Sequence, residues 1–150
     1  MSFIGWHGIA VGVAVFALAW CIVWIRIPKS RGFYFDEKDG SFEKLLAIYL
    51  DVSKFILWLA AGGIVLVVGS TAVGKCQKLD PGFASPLFLL AMSIFYGLLF
   101  MPFLVLNYES YKHGKEHTRL QYIRNRVLAY SALVCFNVGY AWLIWGAANR

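Results

Sequence analysis

The stretch Pro81–Tyr108, PGFASPLFLLAMSIFYGLLFMPFLVLNY, carries no charged side chain from end to end. It exceeds the roughly 20 residues that a helix needs to cross about 30 Å of hydrocarbon. An irregular chain at that depth leaves backbone donors and acceptors unpaired, so helix is the state it must adopt.

Three further stretches share this property: Met1–Ile25, Phe55–Gly74 and Val127–Asn149. The charges are gathered between them, in Arg26–Lys54, in Lys75–Asp80, in Glu109–Arg126 and at Arg150. Over the whole chain, 60% of residues are hydrophobic and 15% charged. Average soluble domains hold about 45–50% and about 25%, and a soluble domain of 150 residues could not hide the excess from water. The expected fold is therefore all-α and integral to the membrane. It is a single four-helix transmembrane bundle with short loops and spans at about 3–27, 43–74, 86–108 and 122–147.

Lys and Arg favour loops that remain in the cytoplasm. Five fall in Arg26–Lys44 and five in Lys112–Arg126, against two in the Lys75–Asp80 loop. Loops 28–42 and 109–121 are expected to be cytoplasmic, with both termini outside, in a membrane of the bacterial inner type. The net charge of +6 is read as this topological bias and not as a nucleic-acid surface. The first span has no charged n-region, and Trp20, Cys21 and Trp24 occupy the place of a cleavage site, so it is read as a retained helix.

Within the spans, small residues recur at helical spacing. Gly8 and Gly12 form a GxxxG step in span one, and Gly63, Ser70 and Gly74 form a second stripe in span two. Such stripes let backbones approach where lipid supplies no hydrophobic drive between helices. They fit a partner helix in this chain or in another, and spans one and two are expected to be the close-packing pair. Pro102 is expected to kink span three.

Polar side chains at mid-depth are few. Ser93, Tyr96, Phe100 and Asn107 share one face of span three, and Arg126, Tyr130, Leu133, Asn137 and Ala141 share one face of span four. The expectation is a polar seam of Tyr96, Asn107, Tyr130 and Asn137, with Tyr96 bonded to Asn137. It serves packing or, on the sharper reading, lines a pore or crevice. Asp51, Lys54, Glu109, Arg124 and Arg126 form a set of cytoplasmic-interface charges that anchor helix ends.

His113 and His117 stand four apart and are a weak metal candidate, since Gly114 loosens the helix between them. The histidines cannot supply two axial haem ligands at matched depth within this chain. No cofactor is expected, bound lipids are plausible, and the partners are membrane lipids and either a second copy or another membrane protein. The resulting expectation is a non-catalytic accessory or assembly subunit, with a homo-oligomeric pore or channel as the alternative.

Overall fold

The computed structural model describes residues 3–26, 41–73, 81–113 and 118–148. It is all-helical: α1 (Phe3–Arg26), α2 (Ser41–Val73), α3 (Ala84–Lys112) and α4 (Arg119–Ala148), with a short 3-10 turn, Pro81–Phe83, leading into α3. Three of the four, α2, α3 and α4, contain stretches long and apolar enough to cross a membrane, Leu46–Gly69, Ala84–Lys112 and Leu120–Ala148. The apolar stretch described in α1, Ala10–Arg26, is shorter. The bundle also wears its apolar residues outward. Ile25 is 81% exposed and Trp58 78%, a distribution that water would penalise and lipid does not.

The largest helix contact is between α3 and α4, which run antiparallel. On α3 the buried residues include Pro86, Leu90, Ser93, Gly97, Phe100, Leu104 and Asn107. They recur at alternating steps of four and three, the seam of a left-handed helix pair. On α4 the matching buried row is Asn125, Leu128, Ala132, Cys135 and Gly139. Small residues on this row bring the backbones together. Ser93 Oγ donates to the Ala132 carbonyl at 2.8 Å, and a Cβ on Gly139 would lie 3.2 Å from the Leu89 Cβ.

The helices α1 and α2 each lean on this central pair. The helix α1 packs against both α3 and α4, and α2 chiefly against α3. The expected pairing of spans one and two is therefore corrected. Gly12 faces Met92 of α3, 3.1 Å from where its Cβ would be, and Gly63 faces Tyr140 of α4 and Leu90 of α3. The surroundings of Gly8 and Ser70, and Gly74 altogether, lie outside the described residues. Pro102 sits inside α3, which continues as one helix through it to Lys112.

Thr118 precedes α4, and its backbone N–H donates to Gln121 Oε1 at 3.0 Å. This is half of a capping box, in which the third helical residue reaches back to the cap. At the other end of the connection, the His113 N–H donates to the Glu109 carbonyl at 3.1 Å and closes α3.

Because the first atom that a new Cβ at Gly139 meets is the backbone-attached Cβ of Leu89, the crowding cannot be relieved by a rotamer change. Gly139→Val is expected to lower stability by about 1–3 kcal/mol through overpacking. Gly62→Ala, where nothing lies within 4 Å, is expected to cost nothing and to gain up to about 1 kcal/mol from helix propensity. Reversible unfolding in mixed micelles of both variants measures the contrast.

Candidate functional site

The mid-depth polar residues divide between two surfaces. On α3, Ser93, Tyr96 and Asn107 are buried at 0%, 5% and 3% exposure. The α4 row Arg126, Tyr130, Leu133, Asn137 and Ala141 is exposed throughout. The expected seam between them does not form. Asn137 Nδ2 donates to the Leu133 carbonyl of its own helix at 2.8 Å, which satisfies the amide locally. The Tyr96 hydroxyl donates instead to the Gly12 carbonyl of α1 at 3.3 Å, and its ring stacks on Phe16 with centroids 5.4 Å apart. The α3 side of the seam is thus a contact with α1 and with the small-residue row of α4.

A second tyrosine makes the same kind of bond on α2. The Tyr140 hydroxyl donates to the Leu59 carbonyl at 2.9 Å. In a helix the side chain four residues later shields a carbonyl, and here that residue is Gly63, whose missing Cβ would lie 3.0 Å from the Tyr140 hydroxyl. Gly63 therefore uncovers the acceptor as well as permitting close approach. Tyr140 was not among the residues expected from the sequence; its signal is the Leu59–Gly63 spacing opposite an aromatic of another span.

The interface charges do not form one cluster. Lys54 and Asp51 pair with each other at 3.4 Å, both exposed, a surface contact worth about 0–1 kcal/mol. Glu109 is exposed and reaches no arginine among the described residues. The Arg124 guanidinium lies over the Phe103 ring at 3.8 Å, and that of Arg126 over Tyr122 at 4.7 Å. Both are cation–π distances, and such contacts hold an arginine without consuming its hydrogen-bonding edges. Toward the same end, Asn107 Nδ2, Asn125 Oδ1 and Nδ2 and Arg124 Nε are buried without a hydrogen-bond partner among the described residues. This end of the α3–α4 pair thus keeps hydrogen-bonding capacity that the described residues do not use.

His113 is exposed at the end of α3, and His117 lies outside the described residues. Among the described residues no group of three metal-ligating side chains comes together.

A concave groove of about 530 Å³ runs between α1 and α4. Its walls are Val15, Leu18, Ala19, Ile22 and Val23 on one side and Tyr130 and Val134 on the other. Arg26 and Arg126 stand at one end. In the sequence Arg126 and Tyr130 have separate expected roles and Arg26 is one of the loop charges that set topology; the two arginines are 100 positions apart (126 − 26), and only the packing of α1 on α4 unites them.

If the local bond of Asn137 is its whole role, Asn137→Leu leaves stability unchanged or raises it slightly in lipid. Ser93→Ala and Tyr96→Phe, which remove interhelical bonds, are each expected to cost about 0.6 kcal/mol, the average for such bonds in membranes. Unfolding midpoints of the three variants in one micelle system test the ranking. Comparison with protein-family models, with curated proteins and with solved structures finds no match.

Proposed function

We propose that this chain is a four-span membrane protein that acts as a non-catalytic accessory or assembly subunit, associating through a helix face with a second copy or with another membrane protein. Support for the fourth span comes from α1, whose 24 residues measure about 36 Å at 1.5 Å per residue. The run Phe3–Ile25 within it holds no charge. The proposed orientation has both termini outside the cytoplasm and the two basic loops inside, in a membrane of the bacterial inner type, on the charge bias of those loops.

One observation carries the association reading. The glycines Gly12, Gly63, Gly97 and Gly139 all face a side chain at 3.0–3.2 Å, whereas Gly62 and Gly69 face nothing within 4 Å. These two are seven residues apart (69 − 62) on the outward side of α2, flanking Val65 and Leu66, which are 68% and 74% exposed. Four close approaches among the described residues use a glycine in this way, so an open glycine pair on the least enclosed helix supports an absent partner helix there. Glycine also carries a cost in an exposed helix, about 1 kcal/mol against alanine, which close packing would offset.

The pore alternative draws less support. Leu89, Leu90, Leu104 and Leu128 fill the space between α3 and α4, so a conduit would have to run between several copies.

Cross-linking and sedimentation in mild detergent test the proposal. The wild-type chain is expected to assemble or to retain a partner, and Gly62→Ile with Gly69→Ile is expected to abolish that while preserving helix content. A wild-type particle that is monomeric and carries no partner would falsify it.

A further inference from the structure

The groove between α1 and α4 is apolar along its length and cationic at one end. From Arg26 to Val15 it follows eleven residues of α1 (26 − 15), about 16 Å at 1.5 Å per residue. That is close to half of a hydrocarbon core of about 30 Å, the depth of one leaflet. Its volume of about 530 Å³ lies within the range of about 300–1,000 Å³ typical of ligand sites.

The chemistry changes along the groove in the order of a lipid molecule. At the mouth stand the Arg26 and Arg126 guanidiniums, neither with a carboxylate in ion-pair reach among the described residues. One turn deeper on α4 is Tyr130, 51% exposed, whose hydroxyl has no hydrogen-bond partner among the described residues. Below it the lining is Val15, Leu18, Ala19, Ile22 and Val134. Arg126 is propped over Tyr122, which leaves its fork of donors available for a planar or tetrahedral anion.

We infer that this groove binds one phospholipid with an anionic headgroup, its phosphate between Arg26 and Arg126 and one acyl chain along Val15–Ile22. Charge complementarity selects this occupant. A partner helix would bury two guanidiniums that have no carboxylate partner among the described residues, whereas a headgroup phosphate pairs them, and basic pockets between membrane helices hold anionic headgroups in this way. The inference rests on the membrane placement proposed above but not on the association of α2, since the groove lies on α1 and α4.

The test uses the full chain in mixed micelles, with lipid adducts counted by native mass spectrometry. Phosphatidylglycerol is expected to form a single retained adduct at a concentration about tenfold or more below that needed for phosphatidylcholine. R26Q with R126Q is expected to erase this preference, and R124Q, whose guanidinium sits on Phe103, to leave it intact. Ala19→Leu, which narrows the groove without changing its charge, should weaken retention of the adduct. Helix content by circular dichroism identifies any variant that fails to fold, and the single substitutions R26Q and R126Q then stand in for the pair.

Equal retention of the two lipids by the wild-type chain would overturn the inference, as would an undiminished preference in the folded arginine variants. A preference lost in R124Q, or an adduct indifferent to Ala19→Leu, would place the lipid elsewhere and also overturn it. Displacement by inorganic phosphate would assign the arginines to a soluble anion and count against a lipid. Flotation with vesicles, scored on the same sample, separates the two readings. A chain that does not float removes the membrane placement itself, and a chain that floats without lipid preference removes this site alone.

Discussion

The close approach of α3 to α4 is the contact on which the rest of the bundle depends. Lipid tails are as apolar as leucine, so helices in a bilayer gain nothing by hiding apolar surface from them. What they gain comes from dispersion contacts and from hydrogen bonds that only near backbones can make. The small side chain of Ala132 lets α3 come near, and the Ser93 hydroxyl reaches the Ala132 carbonyl at 2.8 Å. A carbonyl has two lone pairs, so it can accept this bond and keep its helical one. At the other end, Gly139 admits Leu89 and Leu90. The packed row between these points is largely aliphatic, with Leu89, Leu104, Leu128 and Cys135 in one buried cluster.

The outer helices are attached to that pair by a repeated device. A tyrosine from the central pair extends across and donates to a backbone carbonyl of a flanking helix, Tyr96 to Gly12 of α1 and Tyr140 to Leu59 of α2. A glycine stands at each crossing. The device settles two demands together, since a buried phenol needs an acceptor and a flanking helix needs an anchor that lipid cannot replace. On α1 the aromatic layer continues from the Phe16–Tyr96 stack through Trp20 to Trp24, the last two with centroids 6.3 Å apart. On α2 no such layer follows, and the helix is held over a smaller area.

Helix number and approximate extent were legible in the sequence because charge is excluded from hydrocarbon at a cost that few sequences override. Helix facing was not, and Asn137 shows why. A polar side chain in mid-span was taken to need a partner across the bundle, yet an asparagine can satisfy its amide on the carbonyl one turn back, as Asn137 does on Leu133. Polarity then says little about which way a face points. The row Ala132–Cys135–Gly139 was the better sign, since small residues at steps of three and four mark where a backbone is approached. The same rule misled for Gly12 and Gly63, where it located the contact faces correctly but not their partners, α3 and α4. Thr118-x-x-Gln121 was a readable start signal for α4 that the charge pattern had obscured.

Arginines are the residues whose meaning changed most between sequence and structure. Read along the chain, Arg26, Arg124 and Arg126 are loop charges that set topology. In the fold they part company. Arg124 turns toward α3 and lies on Phe103, half-buried, in a cation–π contact. Arg126, two residues on, is rotated by about 200° on an ideal helix of 3.6 residues per turn and lines the groove between α1 and α4, as Arg26 does. Two like charges brought to one mouth repel, and nothing on the described surface offsets them: Asp51 is committed to Lys54, and Glu109 reaches neither. The presence of Arg26 and Arg126 on one groove is therefore best understood as a demand on the surroundings, which an anionic membrane surface is able to meet.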